Sequence, residues 1–484
     1  MPQGPAVVWF RQDLRLDDQR ALAAALEGGR SVVPLYVLDD ETPGQWRLGG
    51  ASRWWLHGSL AGLDASLRER GSGLVLRRGP AREVVQAVAR EAGAAAVHAG
   101  RMHEPWARRQ EAEVAAALGE GGGALALHRT TTLFDLDAIR TKTGGTYSIY
   151  GPFLKACRAR PAPPEPIPAP ERVPSPQLPR SDALASWRLL PTRPDWAGGL
   201  RETWQPGEAA AHERLRLFLD SAVHHYDVGR NLPGEPGSSR ISPYLHWGEL
   251  SPATVWHQVL HAAREQGEGA GKAIETYLGE LIWREFSAYL LQHHPALPEL
   301  PQRDAFARLP VRDAPDDLRR WQRGGTGIPI VDAGMRQLWR IGWMHNRVRM
   351  IAASFLVKQL LIAWQSGEAW FWDTLVDADL ANNAVSWQWI AGTGVDSQPF
   401  FRVFNPVSQG ERWDPEGAYV RRWVPELARL PARWVHRPWE APESVLAEAG
   451  VRLGETYPAP MVDLAHARDR ALAAYRDTVK REAA

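Results

Sequence analysis

Twenty residues divide this chain into two kinds of sequence. Between 161 and 180, "PAPPEPIPAPERVPSPQLPR" places proline at nearly every second position. Proline fixes φ and lacks an N–H, so this stretch is neither helix nor interior strand. The composition predicts a long extended segment that wraps a surface or joins two domains. Ahead of it, short β-branched runs at 6–10, 31–39, 73–79 and 94–100 alternate with helical segments at 17–27, 51–70, 80–92 and 104–118. "ALALHR" at 124–129 reads as a fifth strand. Such alternation argues for a parallel sheet with crossover helices. From about residue 208 the apolar residues recur at i, i+3 and i+4, the period of helices. No internal repeat is visible. The expected organisation is an α/β N-terminal domain with a Rossmann-like parallel sheet (1–132), a long linker (133–205) and an all-α C-terminal domain (206–484).

Bulk features narrow the function. A length of 484 residues fits two or three domains, at roughly 100–200 residues each. A net charge of +1 excludes a strongly polycationic protein, but not a local basic groove. Only five of the 57 basic residues are Lys. Codon bias is the larger cause, since Ala, Gly and Pro are also abundant; Arg nonetheless forks onto phosphates and stacks on bases. The single cysteine, Cys157, excludes an internal disulfide or a Cys-rich metal site and fits a reducing compartment. The N-terminus shows no signal-peptide pattern. The most apolar stretch, "MIAASFLVKQLLIAW", contains Lys358 and Gln359. It is too short and polar for a bilayer of roughly 30 Å and reads as a core helix. The expectation is a cytoplasmic protein without membrane association.

Two apparent motifs fail on inspection. "GEGAGKA" (267–273) lacks the first glycine of a phosphate loop and has Ala273 where a magnesium-binding hydroxyl belongs, so a loop between helices suffices. The pairs His224–His225 and His293–His294 are adjacent, and on a helix adjacent side chains point about 100° apart.

The helical half carries the chemistry. Glu280, Trp283 and Arg284 share one helix face, as do Asn346, Arg349 and Met350. Asp379, Asn383 and Trp387 follow one stripe of "DADLANNAVSWQW". Each face mixes an acid or amide with arginine or an aromatic, a pattern suited to a polar ligand cavity; the simpler alternative for the first is a surface Glu–Arg pair over a core tryptophan. "GSSRIS" (237–242) offers hydroxyls, backbone N–H groups and an arginine to a diphosphate.

With these motifs in order along nearly the whole chain, the sequence resembles the photolyase/cryptochrome family. It looks most like a class I bacterial cyclobutane pyrimidine dimer photolyase. "VVWFRQDLRLDDQRAL", "GSSRIS", "GELIWREF", "IVDAGMRQLW", "GWMHNRVRMIAASFLVK", "DADLANNAVSWQW" and "FFRVFNPVSQG" carry the resemblance. It implies an antenna domain followed by a helical domain holding FAD, and light-driven splitting of cyclobutane pyrimidine dimers in UV-damaged DNA. By motif match, Tyr226, Ser238, Ser239, Arg240 and Ser242 contact FAD, mainly its phosphates. Asn346, Arg349, Asp377, Asp379 and Asn383 surround the flavin end, with Arg349 and Asp377 as an ion pair and Asn383 opposite N5. Glu280, Trp283, Asn346, Met350 and Trp389 face the substrate, and Arg230 and Arg347 its phosphates or the pocket rim. Glu280, Asn346 and Asn383 carry the catalytic roles. Trp387 and Trp364 match the inner and middle members of the family's electron-transfer chain.

Two departures accompany the resemblance. The outer tryptophan of that chain falls at Val311, which predicts impaired or rerouted photoreduction through Trp321, Trp339, Trp370 or Trp372. The residues after "HP", Pro298 and Glu299, fit the folate-binding pattern poorly. Glu104 still offers a pterin contact, so the antenna stays open between methenyltetrahydrofolate, a deazaflavin and none. Family membership further implies a monomer. The rival functions are a (6-4) photolyase and a cryptochrome-type receptor without repair. Asn346 after His345 and "WQW" argue against the first, Asn383 and the short C-terminal tail against the second.

Overall fold

Five parallel strands form the only regular sheet among the described residues, in the order β3-β2-β1-β4-β5. They are β1 (Ala6–Phe10), β2 (Val32–Leu38), β3 (Val75–Arg78), β4 (Ala96–Gly100) and β5 (Ala124–His128). Helices α1 (Arg20–Leu26), α2 (Gly50–Glu69), α3 (Ala81–Ala92) and α4 (Pro105–Glu120) alternate with them. Strands β1 and β2 are buried along their whole length, as expected of a parallel sheet covered on both faces. Val7, Trp9, Val33, Leu35, Val85 and Val97 anchor its core. Pro34 is tolerated inside β2 because the ladder to β3 begins only at Leu35. The structure is a computed structural model that describes residues 4–266, 271–394, 396 and 402–480.

By contacts the chain forms two units. The first comprises Met1–His224, Ser239–Pro295 and Val376–Asp379; the second comprises His225–Ser238, Ala296–Leu375 and Leu380–Ala484. The segment read from sequence as a linker is built into the first unit and carries structure of its own, including α5 (Tyr150–Arg158). Its proline-rich part is a strap bonded to its surroundings. Asp18 N–H donates to Ile167 O, Val32 N–H to Pro174 O, Val173 N–H to Arg70 O, and Asp182 N–H to Leu76 O. An extended proline segment has no internal hydrogen bonds, so its carbonyls are available as acceptors for neighbouring loop and strand ends.

The first unit also holds α6 (Pro252–Gln266) and α7 (Gly271–His293). Of "GEGAGKA", residues 267–270 lie outside the described residues, and Gly271 to Ala273 begin α7. The second unit holds α8 (Asn346–Ser354), α9 (Trp364–Thr374), α10 (Leu380–Ala391) and α11 (Pro406–Trp413). The core helix expected through "MIAASFLVKQLLIAW" ends at Ser354, gives way to a π turn over Phe355–Gln359, and reverses at Leu361 with φ 53°. Buried Lys358 donates to Ala391 O at 2.9 Å, and buried Gln359 donates to Phe404 O at 2.5 Å. Satisfying two buried polar side chains outweighs continuing the helix. Among the described residues, no helix is long and apolar enough to cross a membrane.

Candidate functional site

In the first unit, α7 presents Glu280, Trp283 and Arg284 half-buried along one face. Arg284 does not pair with Glu280; it donates to Leu245 O at 3.4 Å. Trp283 stacks on Tyr150 of α5, with ring centroids 3.6 Å apart and planes 9° from parallel. The Tyr150 hydroxyl donates to Gly279 O at 2.6 Å, one residue before Glu280. Tyr150 thus backs the aromatic residue assigned to substrate, a partner that spacing on α7 could not reveal.

The "GSSRIS" loop crosses the division between units after Ser238. In the first unit, Ser239 O accepts from Arg214 at 3.0 Å, and the Ser239 side chain bonds the Tyr277 hydroxyl. Arg240 adopts a left-handed φ of 55°, with its guanidinium over the Trp204 ring at 5.1 Å. Ser242 donates to Asp377 at 2.7 Å, so these two expected cofactor residues meet. Asp379 lies 3.8 Å from His246. It also faces buried Glu104, whose carboxyl is held above its ordinary range by burial first and by the Asp379 charge second. Glu104 therefore belongs to an acid–histidine cluster with Asp379, a relationship the sequence did not disclose.

In the second unit, α10 carries Asn383, Trp387 and Trp389. The Asn383 amide donates to Glu368 O at 3.0 Å, which fixes its plane and leaves its oxygen uncommitted among the described residues. Trp387 packs on Phe371 at 5.0 Å and Trp321 at 6.3 Å between centroids. Gly367 lets it do so: a Cβ there would lie 2.1 Å from the indole. Trp364 is buried but enters no ring pair among the described residues. Val311 is 58% exposed, and so is Trp339, which stacks on Trp370 at 5.8 Å. Trp389 lines a small cleft with Arg303, Lys358, Arg402 and Phe404.

Helix α8 begins at Asn346, which is exposed, because the His345 ring caps it by accepting from Arg347 N–H at 3.2 Å. Arg349 donates to Met344 O at 2.8 Å; it belongs to the second unit and Asp377 to the first. Arg347 reaches the Met350 sulfur at 3.8 Å and Asn231 Oδ1 at 2.5 Å. Burial lowers the guanidinium pKa of Arg347, and the charges of Arg230, Arg412 and Arg402 lower it further. Arg230 itself lies over the Tyr226 ring at 5.4 Å. Among the described residues no carboxylate bonds Arg347, Arg402 or Arg412. Sequence reasoning found Arg230 and Arg347 but not Arg402 and Arg412, which only folding brings beside them.

The donor set fits FAD: hydroxyls, loop backbone and an arginine suit a diphosphate, and the oriented Asn383 amide suits a flavin edge. The family described as the FAD binding domain of DNA photolyase matches residues 277–477, and that described as DNA photolyase matches residues 6–171. The chain is 46% identical over 472 residues to the deoxyribodipyrimidine photo-lyase of Agrobacterium fabrum, covering 97% of each chain. Its likeness to cryptochrome-1 of Arabidopsis thaliana is 36%, covering 96% of this chain and 69% of that one. Among solved structures, a bacterial class III photolyase from Agrobacterium tumefaciens superposes with a TM-score of 0.95 at 46% identity, covering 99% of this chain and 98% of that one. The class I affiliation expected from the motifs is not supported by these comparisons; motifs shared across the family do not separate its classes.

Proposed function

The chain belongs to the photolyase/cryptochrome family, and on that premise we propose that it is a deoxyribodipyrimidine photo-lyase with class III affinities. The reaction is light-driven splitting of a cyclobutane pyrimidine dimer in UV-damaged DNA. The family also contains cryptochromes, so the reading needs an observation that favours repair. That observation is the cluster of Arg347 with Arg230, Arg402 and Arg412 beside Met350. Converging cations, three of which (Arg347, Arg402 and Arg412) bond no carboxylate among the described residues, suit a phosphodiester backbone, which supplies most of the affinity for nucleic acid.

Bound FAD supplies a light-driven one-electron donor, and the chain's residues do the rest. Tyr226, Ser238, Ser239, Arg240 and Ser242 hold its diphosphate side. Asn346, Arg349, Asp377, Asp379 and Asn383 line the flavin end, where the Asn383 amide hydrogen-bonds without supplying a proton. Trp283 and Trp389 pack on the flipped bases and recover about 1–3 kcal/mol per base, against an unstacking cost of a few kcal/mol. Glu280 and Asn346 would hydrogen-bond the pyrimidine carbonyls, and Met350 would also face the substrate. Trp387 is the first electron carrier toward the surface, and Trp364 a further member. The antenna domain at 1–132 would take methenyltetrahydrofolate, a deazaflavin or no second chromophore, and 133–205, built into the first unit, leads on to the FAD domain at 206–484. The protein acts as a cytoplasmic monomer.

Dark competition binding tests the reading: the protein should prefer an oligonucleotide with one thymine dimer over the intact sequence by at least about tenfold. Equal binding of the two would leave the receptor alternative in its place.

A further inference from the structure

Trp413, at the end of α11, lies under two guanidiniums. Arg347 Cζ is 4.7 Å from its ring centroid and Arg412 Cζ is 4.5 Å away. Its own N–H donates to Gln409 Oε1 at 3.3 Å, which sets the indole plane. Arg347 is held at two further points, by Asn231 Oδ1 at 2.5 Å and by contact with the Met350 sulfur. Asn231 is in turn anchored through its amide to the carbonyls of Asp227 and Val228. The Arg347 Nε is buried without a hydrogen-bond partner among the described residues.

This arrangement is costly without a ligand. The charges of Arg230, Arg412 and Arg402 all act against that of Arg347, and exposed Arg412 has no carboxylate partner among the described residues. Left to themselves, like-charged side chains with many rotamers would swing apart into water. An indole face attracts a guanidinium through its quadrupole and orients it flat. Trp413 therefore holds two cations against one indole ring before any anion arrives, and pre-ordering of this kind is what raises affinity on binding.

We propose that Trp413 is a positioning residue for DNA: it splints Arg347 and Arg412 into a preformed phosphodiester clamp beside Met350. This rests on the reading of that face as DNA-binding. Trp413 touches neither base nor phosphate in this proposal; it acts through the two arginines.

The test is dark equilibrium binding of the full chain to a short duplex with one thymine dimer, at several salt concentrations. Trp413→Leu should weaken binding by about tenfold. It should also flatten the dependence of log K on log salt by about one phosphate contact, roughly 0.9 in slope. Trp413→Phe keeps an aromatic face and should restore most of both. In the background Arg347→Gln/Arg412→Gln, Trp413→Leu should cost little more, because the groups it positions are gone. An unchanged affinity and slope in Trp413→Leu would overturn the proposal. So would equal losses in the Phe and Leu variants, or a full tenfold loss in the double-glutamine background. Failure of the wild-type chain to bind the duplex would instead overturn the DNA-binding reading beneath it.

Discussion

Tyr150 lies face to face with Trp283, the two rings 3.6 Å apart between centroids and 9° from parallel. Because the Tyr150 hydroxyl also bonds Gly279 O, one side chain from α5 steadies both the tryptophan and the turn of α7 that carries Glu280. Tyr150→Leu should weaken binding of dimer-containing DNA by about 3–10-fold, the worth of one aromatic pair. Tyr150→Phe, which keeps the stack and loses the hydroxyl, should cost less. Dark titration of each variant, at matched FAD content, checks the order.

Electron transfer to the surface should follow the packing around Trp387. Its ring neighbours are Phe371 and Trp321, and exposed Val311 stands where the resemblance would place an outer tryptophan. Gly367→Ala forces the indole away from α9 and should destabilise the protein by about 1–3 kcal/mol while slowing photoreduction of oxidised FAD. Trp321→Phe should lower the photoreduction yield at least as much as Trp364→Phe. Equal wild-type yields in all three variants would contradict this route.

Glu368 should stay protonated at neutral pH. It is fully buried with both carboxyl oxygens lacking a hydrogen-bond partner among the described residues. Burial, with a smaller contribution from Glu299, pushes its pKa up to about 9. Infrared spectra at pH 8 should show a protonated-acid carbonyl band that loses most of its intensity in Glu368→Gln, the remainder belonging to Glu249.

Stability should fall as pH rises. Glu249 accepts from Trp55, Ser59 and Gly207 N–H in a fully buried site. Burial pushes its pKa up to about 8 from an ordinary 4.5. The unfolded chain releases this proton near 4.5 and the native state only near 8. The contribution is therefore complete below 4.5 and is lost as pH climbs through 8, by an amount on the order of 3–5 kcal/mol. Glu285, raised to about 7 by burial, adds to the same trend. Melting temperatures between pH 5 and 9 should decline in the wild-type chain and decline less in Glu249→Gln.

What the sequence disclosed follows from the range of the forces involved. The five strands and the helices between them were legible because β-branched runs and helical periods are local signals. Of the stripe Asp379, Asn383 and Trp387 read from spacing, Asn383 and Trp387 lie on α10, while Asp379 falls just before its first residue, Leu380. The Tyr150–Trp283 stack was not legible, since it joins residues 133 positions apart with no period between them. Nor was the grouping of Arg402 and Arg412 with Arg347, in a chain where arginine is common everywhere. The π turn at Lys358 also escaped, because an apolar run gives no sign that its lysine will find a carbonyl 33 residues away.

Repair of a thymine dimer in light separates a photolyase from a receptor. Chemically reduced protein with FAD bound is mixed with an oligonucleotide carrying one thymine cyclobutane dimer, then kept in blue light or in the dark. Intact thymines should reappear in light only, and that activity should be lost in Glu280→Ala and Trp283→Ala. Fully reduced, FAD-loaded protein that leaves the dimer unchanged in light would contradict the photolyase reading.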